Sequence, residues 1–261
     1  MAGRGRILKF AAAAAAGIGV PLTGRIRHGP AAGLRLRLDG APRAMLSGRY
    51  EEPVQMALAQ RLRPGDGFVD VGANIGFFSL LAGLAVGPDG WVLAVEPVPA
   101  NAALIRANAA LNRLPRVTVV EAAAGAVDGA GELVLARHNG GAALSTAPVP
   151  PDACGRITVP VVTVDTLLAG NRLPPPGLIK IDVEGSEAEA LNGMRGTIAR
   201  HHPAILFEVD APTRDEAERR FADLSAALAA HGYGVDTLPA AYPAGGWAVL
   251  HGLGTVSGDA R

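Results

Sequence analysis

The sequence lacks a net charge, a pair of cysteines and a large aromatic content. Its 261 residues include one cysteine, Cys154, which cannot form a disulfide within the chain and fits a reducing compartment. Aromatic residues make up 4%, and 24 basic residues balance 24 acidic ones, so no overall field draws the chain to nucleic acid or to an acidic membrane. We therefore expect a cytoplasmic protein that binds no nucleic acid.

Long hydrophobic runs are also missing. The stretch Phe10–Leu22 follows basic residues and resembles the apolar core of a signal peptide, but it is too short to span a bilayer. Its alanine run is equally typical of a surface helix, because Ala has the highest helix propensity. We expect residues 1–30 to form an Ala-rich leader or helix and the chain to contain no integral membrane segment, with secretion or a membrane-surface role as the weaker alternatives.

Several motifs of catalytic and metal sites are absent. The chain has neither a nucleophile elbow nor a phosphate-binding lysine motif. Its Cys, His and carboxylate residues show no metal-ligand spacing. We therefore expect no metal, although Asp182 and Glu208 could in principle hold Mg²⁺ together.

What the sequence does contain, from residue 65 onward, is an alternation of short apolar runs with helical segments. This order is typical of parallel strands joined by crossover helices in an α/β domain. The predicted strands are Phe68–Val71, Trp91–Val95, Val117–Glu121, Leu178–Val183 and Ala204–Val209. The predicted helices are Phe77–Ala85, Ala100–Leu111, Ser186–Arg200 and Arg214–Ala230, and a strand pair, Tyr233–Thr237 with Trp247–His251, closes the fold. Asp165 is most simply the N-cap of a further short helix.

The pattern also divides the chain into regions. Residues 31–64 form a β-preface and a helix, because 34–38 alternate apolar and basic side chains before the turn Asp39-Gly40, and 51–62 carry a helical stripe. Residues 65–261 form the main domain. Within it, 131–163 hold two β-like runs around a loop rich in Gly, Ser and Pro, which predicts an insertion on the substrate side of the sheet.

The segment Asp70-Val-Gly-Ala-Asn-Ile-Gly76 lies where a strand meets a helix. Glycines there permit a tight turn and a close backbone approach to a ligand, and the helix start presents free N–H groups. Asn74 and Phe77 stand where the dinucleotide fingerprint needs glycines, which disfavours a nicotinamide or flavin cofactor. Glu96 ends the next strand, where a carboxylate can accept hydrogen bonds from both ribose hydroxyls of an adenosine. The segment and Glu96 together predict a site for a nucleoside-bearing cofactor.

Three charges alternate with apolar residues in the strand predicted at 178–183. If this segment is a strand, Lys180, Asp182 and Glu184 all leave it on one face. Buried charges on one face are unfavourable unless they are paired or open to a ligand cleft. The structural alternative is an ion pair of Lys180 with Glu208 on the neighbouring strand.

These motifs together resemble one family. The segments that carry the resemblance are Asp70–Gly76, Glu96-Pro97, Leu178–Gly185 with its Lys180-x-Asp182-x-Glu184-Gly185 core, and Pro203–Glu208. They look like the FkbM-type methyltransferases, which implies a class I (Rossmann-like) methyltransferase fold with a doubly wound, mostly parallel seven-stranded sheet and S-adenosyl-L-methionine as the cofactor. The resemblance places Asp70, Gly72, Ala73, Asn74 and Gly76 around the methionine part, Glu96 with the following Pro97 at the ribose, and the Ala122–Gly125 turn with Ala124 near the adenine.

The resemblance also implies methylation of a hydroxyl on a saccharide or secondary metabolite. A neutral hydroxyl must lose its proton during transfer, so a carboxylate within hydrogen-bond reach would act as general base. Asp182 is the first candidate and Glu184 the second, with Lys180 orienting the carboxylates or the substrate. A Rossmann-type NAD-dependent oxidoreductase and a non-catalytic nucleotide-binding module are the alternatives.

Overall fold

The computed structural model describes residues 23–37, 43–136, 142–144, 153–242 and 247–256. The predictions for the leader Phe10–Leu22 and for the turn Asp39-Gly40 lie outside these ranges. Within them, no helix is long and apolar enough to cross a membrane.

The described elements largely follow the predicted order. The strands are β1 (Thr23–Arg25), β2 (Arg35–Arg37), β3 (Gly67–Val71), β4 (Trp91–Val95), β5 (Val117–Val120), β6 (Ala123–Ala124), β7 (Gly129–Ala136), β8 (Ala142–Leu144), β9 (Ala153–Val162), β10 (Leu178–Ile181), β11 (Ala204–Ala211), β12 (Tyr233–Thr237) and β13 (Ala248–Val256). The helices are α1 (Arg43–Ser47), α2 (Glu52–Arg61), α3 (Phe77–Val86), α4 (Pro99–Leu111), α5 (Val164–Gly170), α6 (Glu187–Asn192), α7 (Arg195–His201) and α8 (Arg214–Ala229).

The central sheet has seven strands in the order β12-β13-β11-β10-β3-β4-β5. Strands β11, β10, β3, β4 and β5 are parallel, and β13 runs antiparallel to both of its neighbours. This confirms the mostly parallel, doubly wound sheet. The chain reverses its direction of winding between β3 and β10, and open α/β sheets bind ligands outside the carboxyl ends of the strands at such a switch point.

Apolar side chains cover both faces of this sheet. Val69, Leu93 and Ile179 belong to the core on one face, whereas Phe68 and Leu178 pack on the other face with helices α2 and α3. Successive residues of a strand point to opposite faces, so nearly every position of β3, β4 and β10 is buried. Asp70 and Lys180 are the charged exceptions among these buried, otherwise uncharged positions.

The predicted insertion forms a second sheet of four strands, in the order β6-β9-β7-β8. Its main contact is the long antiparallel pair of β7 with β9. Near the start of the described chain, β2 lies within the alternating stretch 34–38 and pairs antiparallel with β1, a strand that the sequence pattern did not predict. Strand β2 packs on α4, where the Asn112 side chain accepts from the backbone N–H of Arg35 and donates to its carbonyl oxygen.

The prediction of one helix over Ser186–Arg200 is wrong. The helix is broken into α6 and α7 at Gly193, where a Cβ atom would lie only 2.0 Å from the carbonyl oxygen of Gly125. The prediction that Asp165 is the N-cap of the short helix that follows it is also wrong. Thr163 caps α5, whereas the Asp165 carboxylate accepts from the backbone N–H groups of Gly196 and Thr197 and so caps the start of α7.

Candidate functional site

A cavity of about 360 Å³ opens at the carboxyl ends of β3, β4, β10 and β11. That volume lies within the range of roughly 300–1,000 Å³ found for small-molecule sites. The predicted site residues that line it are Gly72, Ala73, Asn74, Glu96, Pro97, Ala124, Lys180, Asp182 and Glu184. The sheet thus brings together residues that the sequence separates by more than a hundred positions.

The turn between β3 and α3 is held in a left-handed conformation that glycine favours. Gly72, Asn74 and Gly76 have φ angles of 80°, 51° and 89°. A Cβ atom at Gly72 would lie 1.7 Å from the carbonyl oxygen of Asp182, so the turn also packs directly against the loop after β10. Only a glycine at position 72 lets these two walls of the cavity meet.

Asp70 lies behind this turn and does not line the cavity. Its side chain is 1% exposed, and Oδ2 accepts a hydrogen bond from the Ser79 hydroxyl at 2.5 Å. Oδ1 is buried without a hydrogen-bond donor among the described residues. Burial raises the pKa of Asp70, against the opposing effect of the nearby Lys180 ammonium. A contact of Asp70 with a cofactor stays a prediction.

Glu96 lies at the end of β4 with its carboxylate turned toward the turn. Oε2 accepts from the backbone N–H of Asn74 at 2.8 Å, and Oε1 accepts from the N–H of Val98 at 2.9 Å and from the Asn101 amide at 3.3 Å. Burial raises the pKa of Glu96 to about 7, and these hydrogen bonds oppose the rise. The carboxylate is thus held in place with lone pairs left to accept further donors.

The opposite wall of this end of the cavity is small and apolar. Ala122 and Ala124 line it from the segment around β6. Leu133 and Leu144, from the four-stranded sheet, line it as well. An apolar wall of this kind suits the flat face of a nucleobase or the apolar body of a substrate.

Lys180 and Asp182 form an ion pair at the other end of the cavity. The Lys180 ammonium is 2% exposed and donates to Asp182 Oδ2 at 2.7 Å, with the Phe78 ring centroid 4.9 Å away. Burial works to lower the pKa of Lys180, but Asp182, Asp70 and Glu51 outweigh it and raise that pKa. The alternative pairing of Lys180 with Glu208 is wrong, because Glu208 bonds to His251 instead.

Strand β10 ends earlier than predicted. It stops at Ile181, and the chain turns at Glu184 and Gly185, whose φ angles are 52° and 104°. Glu184 therefore reaches the cavity from a left-handed turn and not from the strand face. Its carboxyl group is hydrogen-bonded to that of Asp210, and burial together with the neighbouring carboxylates of Asp182 and Asp210 raises the pKa of Glu184. The raised pKa makes Glu184 easier to protonate than an ordinary glutamate.

The structure adds a cluster that sequence reasoning missed. Glu51 precedes α2, and its Oε1 accepts from the Tyr242 hydroxyl at 2.7 Å. His251 on β13 is the cross-strand partner of Glu208, and the two side chains bond at 2.5 Å. Burial works to lower the pKa of His251, but the hydrogen bond to Glu208 and the nearby Glu51 carboxylate raise it to about 9. Glu208 lies in the predicted segment Pro203–Glu208, but no local motif contains Glu51 or His251, and the register of β11 against β13 sets Glu208 opposite His251.

The fold and the site define a class I methyltransferase, with a glycine turn after the first central strand and a carboxylate after the second. Among solved structures, the methyltransferase FkbM of Methylobacillus flagellatus has a TM-score of 0.51 at 20% identity, covering 77% of this chain and 58% of that one. The O-methyltransferase of Bacillus cereus has a TM-score of 0.50 at 15% identity, covering 82% and 84%. These likenesses confirm the fold.

Residues 70–235 match the family described as the methyltransferase FkbM domain, and the chain belongs to that family. It is 32% identical over 200 residues to the 31-O-demethyl-FK506 methyltransferase FkbM of Streptomyces tacrolimicus, covering 67% of this chain and 75% of that protein. It is 29% identical over 150 residues to the hexuronic acid methyltransferase AglP of Haloferax volcanii, covering 58% and 59%. The chain is thus a methyltransferase with S-adenosylmethionine as its cofactor.

Proposed function

We propose that the protein transfers a methyl group from S-adenosylmethionine to a hydroxyl of a saccharide or secondary metabolite. The observation that carries the proposal is one cavity lined by two unlike groups of residues: the glycine turn with Glu96, and the Lys180–Asp182 ion pair with further carboxyl groups. The names of both relatives support it, since one acts on an O-demethylated product and the other on a hexuronic acid. Neither an NAD-dependent oxidoreductase nor a non-catalytic nucleotide-binding module draws similar support.

The residues present fit the cofactor. Gly72, Ala73 and Asn74 line the cavity with little side-chain bulk, so the turn can approach a ligand closely. Glu96 would accept from the ribose hydroxyls, Gly72 to Gly76 would border the methionine part, and Ala124 would contact the adenine. When bound, S-adenosylmethionine supplies an electrophilic methyl group that an oxygen lone pair displaces from sulfur.

The protein's own part in this reaction is to position the acceptor and to take its proton. In an in-line displacement the acceptor oxygen must lie about 3–3.5 Å from the carbon it attacks, so fixed side chains around it supply much of the rate. Asp182 lines the cavity and keeps one oxygen for a hydroxyl while Lys180 holds the other. Glu184 is the second candidate, because its raised pKa leaves less of it ionised and able to take a proton. Lys180 acts as the residue that orients Asp182.

Acceptor-dependent formation of S-adenosylhomocysteine tests the function. We expect the purified protein to release it with hydroxyl-bearing saccharides or macrocycles and not with their fully O-methylated forms. We also expect S-adenosylhomocysteine, and not NAD, to raise the melting temperature. Stabilisation by NAD alone would favour the oxidoreductase, and binding without turnover on any acceptor would favour the non-catalytic module.

Substitution of Asp182 tests the assignment of the base. We expect Asp182→Asn to lower kcat by about 10²–10⁴-fold, the usual contribution of a general base, and to leave the affinity for S-adenosylhomocysteine within a few-fold. Steady-state kinetics and calorimetry measure the two quantities. Glu184→Gln is the matched comparison, and a larger loss of kcat there than in Asp182→Asn would transfer the role to Glu184.

A further inference from the structure

Three potential metal ligands converge at the end of the cavity that holds Lys180 and Asp182. Glu51 comes from the start of α2, Glu208 from β11 and His251 from β13, and one ligand atom from each lies within 4.8 Å of the other two. His251 Nε2 is 2.5 Å from Glu208 Oε2 and 3.7 Å from Glu51 Oε2. Three separate elements thus direct their donor atoms at one point.

One of these donor atoms has no hydrogen bond. Glu51 is 2% exposed, and its Oε2 is buried without a hydrogen-bond partner in the described part of the chain. The distance of 3.7 Å to His251 is too long for a hydrogen bond. A buried carboxylate oxygen without a donor is unfavourable, so an additional positive partner would stabilise this arrangement.

The cluster is also open on one side. Glu51 and Glu208 line the cavity, whereas His251 lies behind them and is 3% exposed. An ion held by the three side chains would therefore have protein ligands on one side and the substrate space on the other. Three protein ligands with a free position are typical of catalytic metal sites, in contrast to structural sites that are closed by four.

We propose that Glu51, Glu208 and His251 bind a divalent transition-metal cation of the Mn²⁺ or Zn²⁺ type. One imidazole with two carboxylates suits Mn²⁺, Fe²⁺ or Zn²⁺, whereas Ca²⁺ prefers oxygen ligands alone. The ligand set therefore indicates the class of ion. Two carboxylates also balance the two positive charges. The competing arrangement is an imidazolium ion of His251 bound between the two carboxylates without any metal.

The position of the site indicates what a bound ion would do in the reaction. Its free side faces the same part of the cavity as Asp182, where the proposed function places the acceptor hydroxyl. A bound cation polarises such an oxygen and lowers the pKa of its proton. Binding of the ion itself does not depend on the identity of the acceptor and can be measured without it.

Mn²⁺ alone is the probe. The full chain is freed of metal with a chelator and titrated with MnCl₂, and free Mn²⁺ is followed by electron paramagnetic resonance. We expect one saturable site per chain, weakened at least about tenfold in His251→Gln and in Glu51→Gln, with Zn²⁺ displacing Mn²⁺. Glu51→Gln preserves shape, so it carries the test if His251→Gln does not fold.

Asp182→Asn is the matched control, because Asp182 lines the same part of the cavity but lies outside the cluster. We expect it to retain Mn²⁺ binding within a few-fold. The proposal is overturned if the unaltered chain shows no saturable site, if Glu51→Gln and His251→Gln bind Mn²⁺ as the unaltered chain does, or if binding is lost in Asp182→Asn and kept in Glu51→Gln. Because no methyl donor or acceptor is present, failure here leaves the proposed methyl transfer standing.

Discussion

Gly72 lies where the turn after β3 contacts the loop after β10. Its φ angle of 80° disfavours any side chain, and a Cβ atom would meet the Asp182 carbonyl oxygen at 1.7 Å. We expect Gly72→Ala to lower the free energy of unfolding by at least about 2 kcal/mol, measured by urea denaturation. Gly65→Ala is the control: its φ angle is 90°, but nothing lies within 4 Å of a Cβ atom there. Equal losses in the two variants would show that the contact with Asp182 has no effect.

Glu96 connects cofactor affinity with pH. Burial raises its pKa from the usual 4.5 to about 7, so ionisation of Glu96 destabilises the unliganded fold as the pH rises through that interval. Ribose hydroxyls donate to the ionised form, and bound nucleoside therefore favours the carboxylate. We expect the affinity for S-adenosylhomocysteine to increase between about pH 6 and pH 8.

Calorimetry across that pH range, with Glu96→Gln as the comparison, checks this expectation. The variant should bind more weakly at the upper end and show a flatter dependence on pH, because it has no proton to lose. A slope that survives unchanged in Glu96→Gln would assign the titration to another group.

At the scale of elements, the strand and helix order could be predicted because it depends on local patterns. Each of these patterns occupies one continuous segment of the chain, as the apolar runs at β3, β4 and β11 and the glycine turn before α3 show. The break at Gly193 could not be predicted, because it is set by a contact with Gly125 far away in sequence. Strand β10 ends at Ile181, two residues before the predicted Val183, and the chain turns locally at Glu184 and Gly185 toward α6.

Asp165 caps α7 after the break between α6 and α7, and its substitution tests how much this cap stabilises the fold. Its carboxylate accepts from two backbone N–H groups of α7 and from the Thr197 hydroxyl at 2.5 Å. We expect Asp165→Ala to lower the free energy of unfolding by about 1–2 kcal/mol, as loss of a helix cap does. Glu218→Ala, which removes an exposed ion pair with Arg214, should change it by less than about 1 kcal/mol. A loss in Asp165→Ala no larger than in Glu218→Ala would contradict the capping role.

At the scale of the whole molecule, the two ends of the cavity differ in how far the sequence could predict them. The cofactor end is lined by residues at adjacent strand ends, Gly72 to Asn74 and Glu96, whose spacing is visible in the sequence; the predicted site residue Gly76 packs against Ile105 and does not line the cavity. The other end joins Glu51, Glu208 and His251, and only the register of β11 against β13 sets Glu208 opposite His251. Contacts of that kind depend on the closed fold, and no sequence motif carries them.

The central claim is methyl transfer to an oxygen atom, and the position of the transferred methyl group tests it most directly. The chain is incubated with S-adenosylmethionine carrying a ¹³C-labelled methyl group and a hydroxyl-bearing saccharide acceptor, and the product is analysed by NMR. We expect the label in a methoxyl group, with the product strongly reduced in Asp182→Asn. Label on a nitrogen or carbon of the acceptor, or no labelled product from a chain that binds S-adenosylhomocysteine, would contradict it.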